Sequence, residues 1–296
     1  MKGLLSLLIP LILTTLPVHA WKETGHMLVT SIAKDHLDPG VLERAEELLA
    51  PLAKDFPRAS DFITAACWAD DISKGGLKAL QSWHSSPRAY PRCATYGHDW
   101  DMVETAERES KDLFHAISNA IETLSNPSAG HWEKGFMLRI LLHCIGDAHM
   151  PCHCVNYFGP QFPFGDQGGK LFKLKGVKSL HSFWDTMCGL AKENPERPLT
   201  AEGQLRLEAL KSQIYALYPI EALPESEELL PGIWIDENYW VGIEIAYTGI
   251  LPGESPSDAY VAKGQQTALR QVALAGYRLA GLLNELLAVD GNLAQD

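Results

Sequence analysis

An all-α fold, built as a single compact multi-helix domain, is what this sequence predicts. Three observations carry the prediction. Apolar residues recur with a 3.6-residue period through most of the chain, and strand-like alternation is confined to 171–174. No Gly/Ser-rich or Pro-rich linker, low-complexity stretch or internal repeat divides the chain. The apolar share, 46% of 296 residues, is ample for a core.

The chain opens with Met1-Lys2, an apolar run over 4–16, and Val18-His19-Ala20. A basic start, a short hydrophobic stretch and small residues before a cut predict a secretory signal peptide cleaved after Ala20. The domain proper then runs over 21–296, and the protein is expected to be secreted or periplasmic. The leader is too short to span a membrane comfortably and no later stretch is apolar enough, so no transmembrane anchor is expected.

The helices follow in order. Leu28, Val29, Ile32 and Ala33 mark a helix over 26–36, and the same pattern continues over 41–52 and 61–72. The stretch 82–98 reads as loop because of Pro87, Pro91 and Gly97. A long amphipathic helix is predicted over 101–124, stopped by Asn126-Pro127. An apolar helix over 132–150 comes next. The Gly-, Phe- and Pro-rich stretch 156–176 holds the turn Gly165-Asp166-Gln167-Gly168-Gly169-Lys170, then a short strand candidate over 171–174. Helices over 180–190, 200–218, 233–250 and 257–288 complete the domain.

The formal charge is −12, and −13 once Lys2 leaves with the leader. A protein that grips duplex DNA through its phosphates is basic, so extended duplex binding is disfavoured. The six cysteines are Cys67, Cys93, Cys144, Cys152, Cys154 and Cys188. Export permits disulfides, and an even count allows full pairing in a connectivity that sequence does not choose.

Chemistry concentrates between His143 and His153, where three histidines and Asp147 fall within eleven positions. His143 and Asp147 are four apart and share a helical face. Pro151 ends or bends that helix, so His153 can swing back toward the same point. One such pair is often only a solvated couple, but His181 and Asp185 repeat the spacing. Two pairs on facing helices make a polar site of the kind in which bundles hold metals, and nitrogen and oxygen donors suit zinc. Asp70 in Trp68-Ala69-Asp70 and His84 after Trp83 are further candidates, each weak by itself. His26 follows Trp21 by five positions. Cleavage before Trp21 would free an α-amine titrating at about 7.7–8.0, which a metal could deprotonate and bind.

Taken together and in order, Trp-x4-His, Trp-Ala-Asp, Trp-His, His-x3-Asp-x5-His, Gly-Asp-x-Gly-Gly and Leu-His-x2-Trp-Asp resemble the secreted zinc-dependent S-one/P-one nucleases, which share a superfamily with zinc phospholipase C. The likeness runs from Trp21 to about Cys188 and continues more weakly through Trp234-Ile235-Asp236-Glu237 and the final helix. It implies a mainly helical fold around a trinuclear zinc cleft. Asp70, His84, His143 and Asp147 would hold one zinc. His153, His181 and Asp185 would hold a second, and His26, Asp147 and the backbone amine and carbonyl of Trp21 a third. Asp147 would bridge two metals and orient the attacking water. The implied activity is hydrolysis of single-stranded DNA or RNA to 5′-nucleotides by zinc-activated hydroxide, with removal of phosphate from 3′-nucleotides. The implied partner is that nucleic acid or nucleotide, with no stable protein partner.

The likeness departs at substrate-contacting positions. Ser85 and Pro87 stand where the family has an aromatic and an aspartate, Ser73 where it often has arginine, and Lys170 where Gly-Gly-Asn would end. Lys74 or Lys170 could meet a phosphate as a point charge, and either could equally be solvated. Two alternatives remain. A zinc phospholipase C or other phosphate-ester hydrolase could use the same metal core, although the spacing of His153 and His181 and the closing Asp185 look nuclease-like. A secreted zinc-binding or interaction protein that has lost catalysis is disfavoured by the complete ligand set.

Overall fold

The computed structural model describes residues 21–91 and 111–288. Its helices are α1 (Glu23–Asp35), α2 (Val41–Ala53), α3 (Phe62–Ala65), α4 (Trp68–Lys74), α5 (Leu113–Ser125), α6 (His131–Ala148), α7 (Pro151–Cys154), α8 (Leu180–Asp185), α9 (Ala201–Leu217), α10 (Pro231–Val241) and α11 (Asp258–Leu286). Short 3₁₀ turns join them, among them Lys78–His84 and Met187–Gly189.

The apolar periodicity predicts most of these elements, and three of them start on capping side chains. Asp112 accepts the His115 N–H at the start of α5, Thr200 accepts the Gly203 N–H before α9, and Ser257 accepts the Tyr260 N–H before α11. The first part of the helix expected over 101–124 lies outside the described residues.

Three expectations are corrected. The helix over 61–72 is broken at Ala66-Cys67 into α3 and α4. The break frees the Ala66 carbonyl, which accepts from His143 instead of from its own helix. The strand expected over 171–174 does not form; only an isolated bridge pairs Leu174 with Val177. Phe172 is drawn fully inward, where it meets Phe162 and Tyr247. The strands are instead β1 (Arg88–Pro91) and β2 (Val155–Phe158), a parallel pair in the register Arg88↔Val155 to Pro91↔Phe158. Each follows a histidine, His84 or His153, so the pairing holds the two histidine segments side by side. Finally, Cys67, Cys144, Cys152, Cys154 and Cys188 are buried free thiols, so the disulfides that the even cysteine count allowed are not formed among the described residues. Cys93 lies outside them. Burial pushes the Cys67, Cys144, Cys152, Cys154 and Cys188 thiols well up, which makes them packing groups rather than nucleophiles.

The fold is wrapped around α6, which is buried along almost its whole length from Gly135 to Ala148. Such a helix needs neighbours on every side, and α1, α2, α4, α5 and α11 supply them. Close approach depends on glycine. A Cβ on Gly135 would lie 2.1 Å from the Leu48 carbonyl oxygen of α2, and one on Gly276 of α11 would lie 2.5 Å from Ile32 of α1. Among the described residues no helix is long and apolar enough to cross a membrane.

Candidate metal centre

The C-terminal turn of α6 carries His143 and Asp147, both with no exposed surface. His143 Nε2 stands 3.2 Å from Asp147 Oδ2. His84, at the end of its 3₁₀ turn, brings Nδ1 to 2.9 Å from His143 Nε2 and 3.2 Å from Asp147 Oδ2. Asp70, near the start of α4, places Oδ1 3.9 Å from His84 Nδ1 and 4.0 Å from His143 Nε2. From the other side, the His26 ring stacks on His143 at 3.9 Å, with Nε2 3.5 Å from Asp147 Oδ1. Gly146 permits this stacking, because a Cβ there would lie 2.7 Å from His26 Nδ1. Trp21 is completely buried, folded over Gly25 beside the same group.

A further set is built where α7 meets α8. His153 stacks on His181 at 5.1 Å, and His181 Nε2 lies 3.5 Å from Asp185 Oδ1, one turn along α8. Three groups therefore bring their donor atoms within 4.8 Å of one another: His26, His143 and Asp147; Asp70, His84 and His143; and His153, His181 and Asp185. All nine positions singled out in the sequence, Trp21 included, lie in or against this region.

Backbone carbonyls aim the rings. The Nδ1–H of His143 donates to Ala66 O at 2.7 Å, that of His181 to Gly168 O at 2.7 Å, and that of His153 to His84 O. Each bond keeps a proton on Nδ1, so that Nε2 is the nitrogen left to face a metal, as outer partners of metal-binding histidines arrange. The turn that offers Gly168 O is itself held by Asp166, whose Oδ2 accepts from Tyr247 at 2.8 Å and whose Oδ1 accepts from Tyr157 N at 3.0 Å. Only the Gly-Asp-x-Gly-Gly motif announced this device in the sequence. The carbonyls of Ala66 and His84 gave no signal.

The electrostatics are those of a site short of positive charge. Both ring nitrogens of His26, both oxygens of Asp147, and Oδ1 of Asp70 and of Asp185 are buried with no hydrogen-bond partner among the described residues. Burying such groups unsatisfied is expensive unless a cation joins them. Without one, burial opposes charge on His143, but Asp147 and Asp70 outweigh it and raise the imidazole to about 9. Burial works against the Asp147 carboxylate too, yet His143 and His153 hold it well below its ordinary range. Burial pushes Asp185 well up, and the nearby Asp70 and Asp147 carboxylates add to that. The donor set, imidazole nitrogen and carboxylate oxygen only, fits zinc.

A pH dependence follows. In the metal-free protein His143 keeps its proton below about pH 9, and a metal at Nε2 must displace it. Apparent zinc affinity is therefore expected to rise about tenfold per pH unit between pH 7 and 9 and then level. A competition titration against a chromophoric chelator measures this; a flat profile would contradict a protonated His143.

The two candidate substrate lysines differ. The Lys74 ammonium lies 3.6 Å from Glu23 and 3.7 Å from Asp70, which pairs it with a cluster residue. Lys170 is half-buried beside the His153 group. Burial lowers it to about 8, against the pull of Asp185, Cys152 and Asp147. Ser73 is buried with no partner for its hydroxyl among the described residues. His149, outside the expected ligand set, is structural: its Nδ1–H donates to Ile145 O and its Nε2 accepts from Arg278 at 2.9 Å.

The comparisons with known proteins meet this geometry. A profile of the family described as S1/P1 Nuclease matches residues 21–288, a span that contains every one of these positions. The chain belongs to the S1/P1 nuclease family. Among curated relatives, Endonuclease 2 of Arabidopsis thaliana is 25% identical over 284 residues, covering 91% of each chain. Endonuclease 4 of the same plant is 25% identical over 289 residues, covering 90% of this chain and 89% of the relative. Endonuclease 1 is 24% identical over 291 residues, covering 94% and 90%. As an S1/P1 family endonuclease the protein acts on nucleic acid, and its buried His/Asp clusters are of the kind that hold metal ions in this family.

Proposed function

We propose that this S1/P1 nuclease binds three zinc ions and cleaves single-stranded DNA and RNA to 5′-nucleotides, and that it also removes phosphate from 3′-nucleotides. The observation that supports this is the convergence of buried carboxylate oxygens and imidazole nitrogens from α1, α4, α6 and α8 and from the His84 and His153 turns. Asp70, His84, His143 and Asp147 would hold one ion. His153, His181 and Asp185 would hold another, and His26, Asp147 and the Trp21 backbone a third. Bound zinc lowers the pKa of a water ligand toward ~7 and neutralises charge on phosphoryl oxygens.

The protein's own groups do the rest. Asp147 presents both carboxylate oxygens to the ring nitrogens of His26, His84 and His143 at 3.2–3.5 Å, and in this reading it orients the attacking water. The carbonyl-anchored His143, His153 and His181 need no reorientation as charge develops, the condition under which electrostatic stabilisation is largest. Water oxygen bonds to phosphorus, the P–O3′ bond breaks, and the 3′-oxygen leaves as the hydroxyl while the 5′-phosphate stays with the other product. The acidic formal net charge, −12 for the full sequence, favours substrates gripped at the metal site over duplex held along its length.

Export belongs to the same proposal, with cleavage after Ala20 making the Trp21 amine available. One extra residue before Trp21 is expected to lower zinc content by about one equivalent and activity about tenfold or more. An extended chain with equal zinc and equal turnover would remove the amine from the ligand set.

The deciding experiment incubates zinc-loaded protein, residues 21–296, with a short single-stranded DNA and, separately, with phosphatidylcholine. Release of 5′-mononucleotides with the lipid untouched is the expected result. Phosphocholine release with intact DNA would move the same core to phospholipase chemistry.

A further inference from the structure

The first turn of α1 is tied down by a segment of which only the first residue, Asp185, belongs to the clusters. Residues 185–197 hold its cap residue Lys22 and its first two positions, Glu23 and Thr24. Lys22 N donates to Asp185 O at 2.8 Å and Lys22 Nζ to Lys192 O at 3.1 Å, while Thr24 Oγ1 donates to Glu193 O at 3.0 Å. Between them lies Glu23, and Arg197 takes it. The Arg197 side chain has no exposed surface. Its Nε donates to Glu23 Oε2 at 2.8 Å, and its two terminal nitrogens donate to the two oxygens of Asp71 at 2.9 Å each. Arg58 O accepts a longer bond at 3.3 Å.

These partners are not arbitrary with respect to the site. Glu23 is three residues before His26, and Asp71 is next to Asp70. Lys74 bridges the same two places, reaching both Glu23 and Asp70. A planar guanidinium with its fork on one carboxylate and Nε on another fixes both distance and orientation, which a point charge does not. A buried ionic group of this kind is poor evidence for added stability, because a hydrophobic replacement often does as well. What it can supply here is register between α1 and α4.

We propose that Arg197 is a positioning residue for the metal centre: by clamping Glu23 to Asp71 it sets the first turn of α1 against α4, and so sets His26 against His143 and Asp147. The inference rests on the metal-binding reading above. It makes the His26 group the one whose occupancy depends on a residue outside the motifs.

The test compares Arg197→Met, Arg197→Lys, Glu23→Gln and Arg197→Met combined with Glu23→Gln in the zinc-loaded protein, residues 21–296. Arg206→Met, which removes only exposed ion pairs to Glu193 and Glu202, serves as control. Zinc per chain is measured by atomic emission, beside kcat and KM on single-stranded DNA and the circular dichroism spectrum. Arg197→Met is expected to lose one zinc equivalent and about tenfold or more in kcat, with helical content and KM held. Arg197→Lys is expected to recover part of both. Glu23→Gln should show the same zinc loss, and the double variant no further loss. Wild-type zinc and kcat in Arg197→Met would overturn the clamp. Should that variant not fold, Glu23→Gln decides alone, and unchanged zinc there overturns it. A wild-type protein that binds no zinc would sink the metal reading itself, which is a different result from a zinc-replete variant.

Discussion

Asp147→Asn is expected to abolish function while leaving the fold in place. Asp147 has no exposed surface and both its oxygens lack hydrogen-bond partners among the described residues. It is the residue nearest to His26, His84 and His143 together, at 3.5, 3.2 and 3.2 Å. The amide keeps the shape but removes the negative charge and replaces one acceptor with a donor aimed at ring nitrogens. Two metal positions would lose a ligand at once. Turnover should fall by roughly 10²–10³-fold or more, with zinc content reduced in the same preparation. Full zinc with full turnover in Asp147→Asn would take the residue out of the mechanism. Loss of turnover with all zinc retained would leave it a role in orienting water alone.

Gly135→Ala should have the largest effect on stability. The new Cβ would sit 2.1 Å from the Leu48 carbonyl oxygen, far inside van der Waals contact. The obstacle is backbone within α2, so no rotamer change relieves it, and α2 and α6 must move apart. Overpacking of this kind costs about 1–3 kcal/mol and occasionally more, and the upper end applies where backbone must move. For a chain of this size about 3 kcal/mol corresponds to a fall in Tm of roughly 6–12 °C. Thermal denaturation followed by circular dichroism measures it. A Tm within about 2 °C of wild type would show that the contact between α2 and α6 gives way easily. The consequence reaches function as well, since α6 carries His143 and Asp147 at its far end.

The legibility of this protein in its sequence was uneven for physical reasons. His143 and Asp147, and His181 and Asp185, could be read as pairs because a helix turns i,i+4 spacing into proximity by local geometry alone. The end of α6 and the starts of α9 and α11 are readable because Pro151, Thr200 and Ser257 act on their own neighbours. His26, Asp70 and His84 had no such local rule. They were found through the order of motifs and not through any periodicity, and their convergence depends on α1, α4 and the Lys78–His84 turn all meeting α6.

What the chain determines by itself is thus the helical class, the two ligand-spaced pairs and the excess of negative charge. These are local or additive properties. Tertiary structure alone decided that α3 and α4 break at Ala66 to give His143 its carbonyl partner, and that Phe172 turns inward while β1 pairs with β2. It also decided that Arg197 joins Glu23 to Asp71 across 174 and 126 positions of sequence. Each of these is a choice between local hydrogen bonding and a distant partner. The distant partner wins where burial removes water as the alternative, because a buried polar group without a bond costs more than a broken helix turn.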